Sequence, residues 1–123
     1  MTASITNYAA TDTEDFATSL VVPMPAGWDF PAGDIHIHRQ LRSAPGAADV
    51  ALDFNSRDGS ARIAAQDAAA RTITLAFFRA APAALGLAGV YFHDTLLSRF
   101  GQTVRVDSGT CQFSAGVTID GGA

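Results

Sequence analysis

A chain of 123 residues with 48% hydrophobic and 16% charged side chains suits a single domain around one core. Its net charge of −4 and pI near 5.0 disfavour a general nucleic-acid or anionic-membrane surface, so neither partner is expected. The one cysteine, Cys111, excludes an intramolecular disulfide and a multi-cysteine zinc site, and no stretch nears the roughly 18 apolar residues of a membrane span.

Residues 1–12 are polar without sustained period and read as a flexible arm ahead of a domain over 13–115. The start also lacks a basic region followed by an apolar run, so the expectation is folding in the cytoplasm without a secretory signal. Phe16, Leu20 and Val22 alternate with smaller residues and predict a first strand ending near Pro23. Residues 24–33 hold two Pro and two Gly, which break regular backbone pairing and predict a loop carrying Trp28 and Phe30. Ile35 and Ile37 alternate with His36 and His38 in the second strand.

Val50, Leu52 and Phe54 repeat the period of two, and residues 55–60 supply turn chemistry before a weak strand around Ile63. Ile73, Leu75 and Phe77 give the clearest alternation. Residues 82–87 are too short for a packed helix and read as one helical turn. In 89–97 both faces are partly apolar, which leaves the inward face open. A tip around Arg99-Phe100-Gly101 then leads into 103–114, where Asp107-Ser-Gly109 allows a bulge and Cys111 reads as a core residue. Residues 116–123 read as a loose tail. About seven antiparallel strands with one short helical turn predict an all-β, immunoglobulin-like sandwich; a six- to eight-stranded barrel is the alternative.

The chemistry-bearing residues are sparse. His36 and His38 share a strand face, and His93 could join them around an ion if its strand lay alongside, but a polar outer face explains the pair as well. No Gly-x-Ser-x-Gly elbow occurs and Cys111 has no basic neighbour in sequence, so no catalytic residue, metal ligand or cofactor is expected. Trp28, Phe30, Arg99 and Phe100 stand out instead, because aromatics with Arg in loops are the residue types that anchor protein contacts.

Asp29-Phe30 and Gly33, the turn Asp58-Gly59, the strand Arg71-Thr-Ile-Thr-Leu75, the aromatic strand Gly89-Val-Tyr-Phe-His-Asp94 and the ending Gly109-Thr-Cys-Gln-Phe113 with Val117-Thr118 follow one another along the chain. In this order they resemble small phage and prophage virion proteins, similar to the immunoglobulin-like N-terminal module of tailed-phage baseplate upper proteins. Arg39 or Arg42 stands where that pattern closes a strand, His93 where an aromatic is usual, and Cys111 where Phe is usual. The resemblance implies a non-enzymatic virion structural protein, made in the host cytoplasm, that docks on other tail or virion proteins in a symmetric multi-copy assembly. The alternative expectation is a small carbohydrate- or surface-binding module, with Trp28, Phe30 and nearby Asp residues against a sugar ring.

Overall fold

In the computed structural model the described residues are 4–11, 15–44, 46–80 and 87–114. Seven strands form the sandwich, most of them with period-two alternation: β3 (Phe16–Pro23), β4 (His36–Arg42), β5 (Leu52–Asn55), β6 (Ala61–Asp67), β7 (Thr72–Arg79), β8 (Gly89–Arg99) and β9 (Gln102–Ser114). Two shorter segments, β1 (Ser4–Ile5) and β2 (Tyr8–Thr11), precede them. No helix occurs among the described residues.

The strands form two sheets. The larger runs β9–β8–β4–β5, with β1 and β2 both lying parallel against the outer edge of β9; the smaller runs β3–β7–β6. Nine segments thus occupy eight lanes. Lettering β3 to β9 as B, C, C′, D, E, F and G gives one sheet with G, F, C and C′ and another with B, E and D, which is the immunoglobulin arrangement. The sheets keep separate edges, so the barrel alternative is set aside.

Inward residues of both sheets close one core, in which Phe54 lies 5.1 Å from Phe16 and edge-on to Phe77 at 5.7 Å. Each such fully buried aromatic or aliphatic side chain is worth about 1.5–3 kcal/mol. Met24, Trp28 and Ala32 from the Pro/Gly loop, and Ile35 just before β4, are buried at one end of the sandwich. Arg71 donates from Nη2 to the Trp28 carbonyl at 2.8 Å and ties that loop to β7. The β5–β6 turn is fixed by Asp58, whose carboxylate accepts from the Ser60 amide at 2.9 Å and from its hydroxyl. Those bonds, with Arg79 beside it, hold the Asp58 carboxyl down at about 2.

Several expectations need correction. Residues 4–11, inside the expected arm, hold two paired strand segments: Tyr8 and Ala10 pack against the core, and between the segments the Thr6 amide donates to Ser108 O at 2.8 Å. These pairings are parallel and join residues about a hundred positions apart, so no local pattern announces them. β4 extends to Arg42, which puts Arg39 inside, in line with Ile37 and Leu41. β8, whose inward face the sequence leaves open, turns its more polar face inward, burying His93, Thr95, Leu97 and Arg99 and leaving Val90 and Phe92 partly exposed. The bulge falls earlier than Asp107-Ser-Gly109. Thr95 faces Asp107 while Leu96 faces Arg105, so Val106 is the extra residue and both Val106 and Asp107 are buried. The expected helical turn at 82–87, apart from Leu87, and the tail at 116–123 lie outside the described residues.

Candidate functional site

The β8–β9 hairpin closes with two residues, Phe100 and Gly101, at φ of 53° and 76°. Positive φ at both central positions is the type I′ geometry that suits the twist of long paired strands. Gly101 takes it without strain, but a bulky aromatic at Phe100 sits in a region such side chains rarely enter. Phe100 is also 81% exposed, the largest exposure of any large hydrophobic side chain among the described residues. It therefore carries both a backbone cost and an apolar hydration cost.

Arg99 secures the base of this tip. It is buried, and its guanidinium donates to Asp29 O at 2.6 Å and Pro31 O at 2.9 Å and pairs with Asp34 Oδ1 at 2.7 Å. Its Cζ lies 5.0 Å from the Phe100 ring centre. The Trp28 indole N–H donates to Gln102 Oε1 at 3.0 Å, from a ring that is only 3% exposed. Phe30 is half-buried against the core, with the Arg71 guanidinium 5.9 Å from its ring. Of the four residues singled out from the sequence, Phe100 alone is largely exposed. Trp28, Phe30 and Arg99 hold the end of the sandwich from which the tip projects. With its ring buried, Trp28 cannot present a face to a sugar.

The histidines do not converge. His36 and His38 lie on the outer face of the larger sheet with rings 6.2 Å apart, whereas His93 points into the core. His38 Nε2 stands 2.7 Å from Asp53 Oδ1, and His36 Nδ1 stands 2.7 Å from Ser56 Oγ. Partial burial, with Arg57 and His38 nearby, lowers the His36 pKa. No group of three His, Cys, Asp or Glu suited to a metal ion occurs among the described residues.

A buried polar cluster is the feature the sequence reading missed. Arg39 and Asp107 have fully buried side chains and pair at 3.3 Å. Arg39 also donates from Nε to Thr95 Oγ1 at 2.8 Å, reaches Tyr8 OH at 3.3 Å, and lies 3.7 Å over the Phe77 ring. The Thr6 hydroxyl donates to Asp107 Oδ1 at 2.8 Å. His93 Nε2–H donates to the Thr6 carbonyl at 2.9 Å, and this acceptor fixes the tautomer. Burial first, and then the Arg39 charge, lowers the His93 pKa. Cys111 is buried and its thiol is pushed up to about 11 by desolvation. With Thr18 of β3 accepting from Arg39 Nη1 at 3.4 Å, the cluster joins β2, β3, β4, β7, β8 and β9, so its chemistry fastens the N-terminal lane to the core.

Beside it, on the outer face of the larger sheet, an open depression of about 490 Å³ is lined by Ile5, Arg42, Phe92, Asp94 and Arg105 among others. Among the described residues no helix is long and apolar enough to cross a membrane. No protein-family model matches the chain, and comparison with curated proteins finds no match.

Proposed function

We propose that the chain is a non-enzymatic structural protein of a tailed-phage or phage-like particle. In this reading it is an immunoglobulin-like module that docks on other particle proteins through its β8–β9 tip. The observation that carries it is Phe100, exposed and held at positive φ on a hairpin whose base Arg99 pins to the loop at 29–34. Strain of this kind persists where the surroundings impose it and concentrates at contact sites. Burying that ring in a partner's pocket would return about 1.5–3 kcal/mol, the contribution of a single anchor residue. The motif order that resembles phage virion modules supplies the class of partner.

The test is mass spectrometry of purified particles made with the wild-type chain or with Phe100→Ser. The wild type is expected in the particle at a fixed copy number. The variant, folded and melting as the wild type does, is expected to be missing or strongly depleted. Particles that never contain the chain, or that take up the variant at the wild-type level, overturn the proposal.

A further inference from the structure

The sandwich has four outer lanes, and three are poor templates for another strand. The lane of β1 and β2 is broken at Thr6 and Asn7, and β5 has four residues. β6 is bulged between Ile63 and Ala65 and carries Arg62 and Asp67. Short, interrupted, bulged or charged edges are how sheets avoid pairing with other chains. β3 has none of these protections. It runs eight residues without a charge or a bulge, its proline stands at the last position, and no strand pairs its outer side among the described residues.

The groups it presents follow from its register with β7. The Met24 amide donates to Arg71 O, one step beyond the pair Pro23 and Thr72. Alternation along an antiparallel strand then turns the even-numbered residues of β3 towards β7. The N–H and C=O groups of Ala17, Ser19 and Val21 face the open side. Their side chains lie on the outer face of the sheet, where Val21 is 60% and the neighbouring Phe78 49% exposed.

We propose that a second copy of this chain pairs along this edge, β3 antiparallel to β3, about a two-fold axis through Ser19. The two three-stranded sheets then become one continuous sheet. In this register Ser19 faces its own equivalent and Ala17 faces the second copy's Val21, so all three open residues bond on both chains. Shifting the axis to Leu20 would set Ala17 against Pro23, which has no N–H to give. The Ser19 register also settles the exposed apolar groups. Phe78 pairs with Ala17, and across that small methyl its ring reaches the second copy's Val21, two strand spacings of about 4.8 Å away. An uncharged strand brings no like charges to the seam, and the contact is self-complementary, as a two-fold interface requires. This inference stands apart from the docking role of Phe100, which lies at the β8–β9 tip.

Light scattering over a dilution series, with two substitutions, tests it. The wild type is expected at twice the 12.8 kDa chain mass when concentrated, dissociating on dilution. Ser19→Lys sets two ammonium groups opposite each other across the axis while leaving the β7 pairing intact. It is expected to be monomeric, with wild-type circular dichroism. Ser19→Cys is expected to cross-link on mild oxidation, because directly paired residues stand about 5.5 Å apart between Cα atoms, within disulfide range. The buried Cys111 does not compete. A wild type that is monomeric at every concentration, or a dimer that Ser19→Lys leaves unchanged, overturns the proposal. A dimer that Ser19→Cys fails to cross-link overturns the register.

Discussion

Replacing Asp107 with Asn tests whether the buried ion pair holds the two sheets and the N-terminal lane together. Both side chains of the Arg39–Asp107 pair are fully buried. The substitution therefore leaves a guanidinium in the core with only neutral partners, namely Thr95, Thr18, Tyr8 and the Phe77 ring. Removing one member of a buried pair costs about 3–5 kcal/mol, because the remaining charge keeps its desolvation penalty. The Asn amide oxygen can still accept from the Thr6 hydroxyl, so the expected loss is near the lower end, about 3 kcal/mol. Against a total stability of about 5–15 kcal/mol that is a large fraction, equivalent to roughly 10–15 °C in the melting midpoint. Thermal and urea unfolding followed by circular dichroism read it directly. Arg39→Met is expected to cost a similar amount. The double variant is expected to cost less than the sum of the two, with a coupling above about 1 kcal/mol. An Asp107→Asn loss below about 1 kcal/mol, additive with Arg39→Met, is the behaviour of a solvated pair and would refute the reasoning.

Gly109→Ala is expected to unseat the N-terminal lane. A Cβ there would lie 1.9 Å from the Thr6 carbonyl oxygen, and relief by backbone movement costs about 1–3 kcal/mol. Hydrogen exchange should show the Thr6 amide, bonded to Ser108 O, losing protection before the rest of the sheet. Acid is expected to weaken the fold through His93, whose native pKa is lowered by burial and by Arg39. The unfolded chain then binds the proton more readily. The stability is fully present above the unfolded value of about 6.5 and is lost as pH falls below it towards the native value. The hydrogen bond to the Thr6 carbonyl, then Asp107 and Asp94, pull the other way, and the Tyr8 ring lies tilted against the imidazole with centroids 5.3 Å apart. His93→Gln should flatten the melting midpoint between about pH 7 and pH 5, leaving the slope due to His36; an unchanged slope would remove His93 as its source. Cys111, with its thiol at about 11 and no exposed surface, is expected to react with a disulfide reagent only at the rate of global unfolding. A prompt stoichiometric reaction would contradict that burial.

Most of the seven sandwich strands were legible because they carry their own alternation, and Phe54, Ile73, Leu75 and Phe77 are buried where that alternation placed them; β6, with only Ala61 buried, carries almost none. The inward face of β8 was not legible. Counting apolar residues favours Val90, Phe92 and Leu96, yet His93 and Thr95 go inside because Arg39 and Asp107 wait there. Arg39 gave a faint signal, since it continues the inward series of Ile37 and Leu41 by one period. Asp107 gave none, because its inward turn depends on the extra residue Val106. The loop aromatics divide on similar grounds. Trp28 looks exposed in its sequence neighbourhood and is buried by packing at the sandwich end. Phe100 is the residue of a two-residue tip with no core within reach, so its exposure could be read from the turn alone.

The bulge at Val106 links these features. Without the extra residue, β9 would keep its phase past Thr95 and Asp107 would face solvent, leaving Arg39 buried with no carboxylate in the core. With it, a charge pair lies between sheets and needs covering on the side away from β8. Thr6 supplies a hydroxyl to Asp107 and a carbonyl to His93, and Tyr8 supplies its hydroxyl to Arg39. The N-terminal lane is therefore a structural requirement of the polar core, placed on β9 by the charges beneath it. Because the lane pairs with β9 in the larger sheet, no segment among the described residues runs beside β3 in the smaller one. The same choice that seals the core at one edge leaves the uncharged edge of β3 open for another strand.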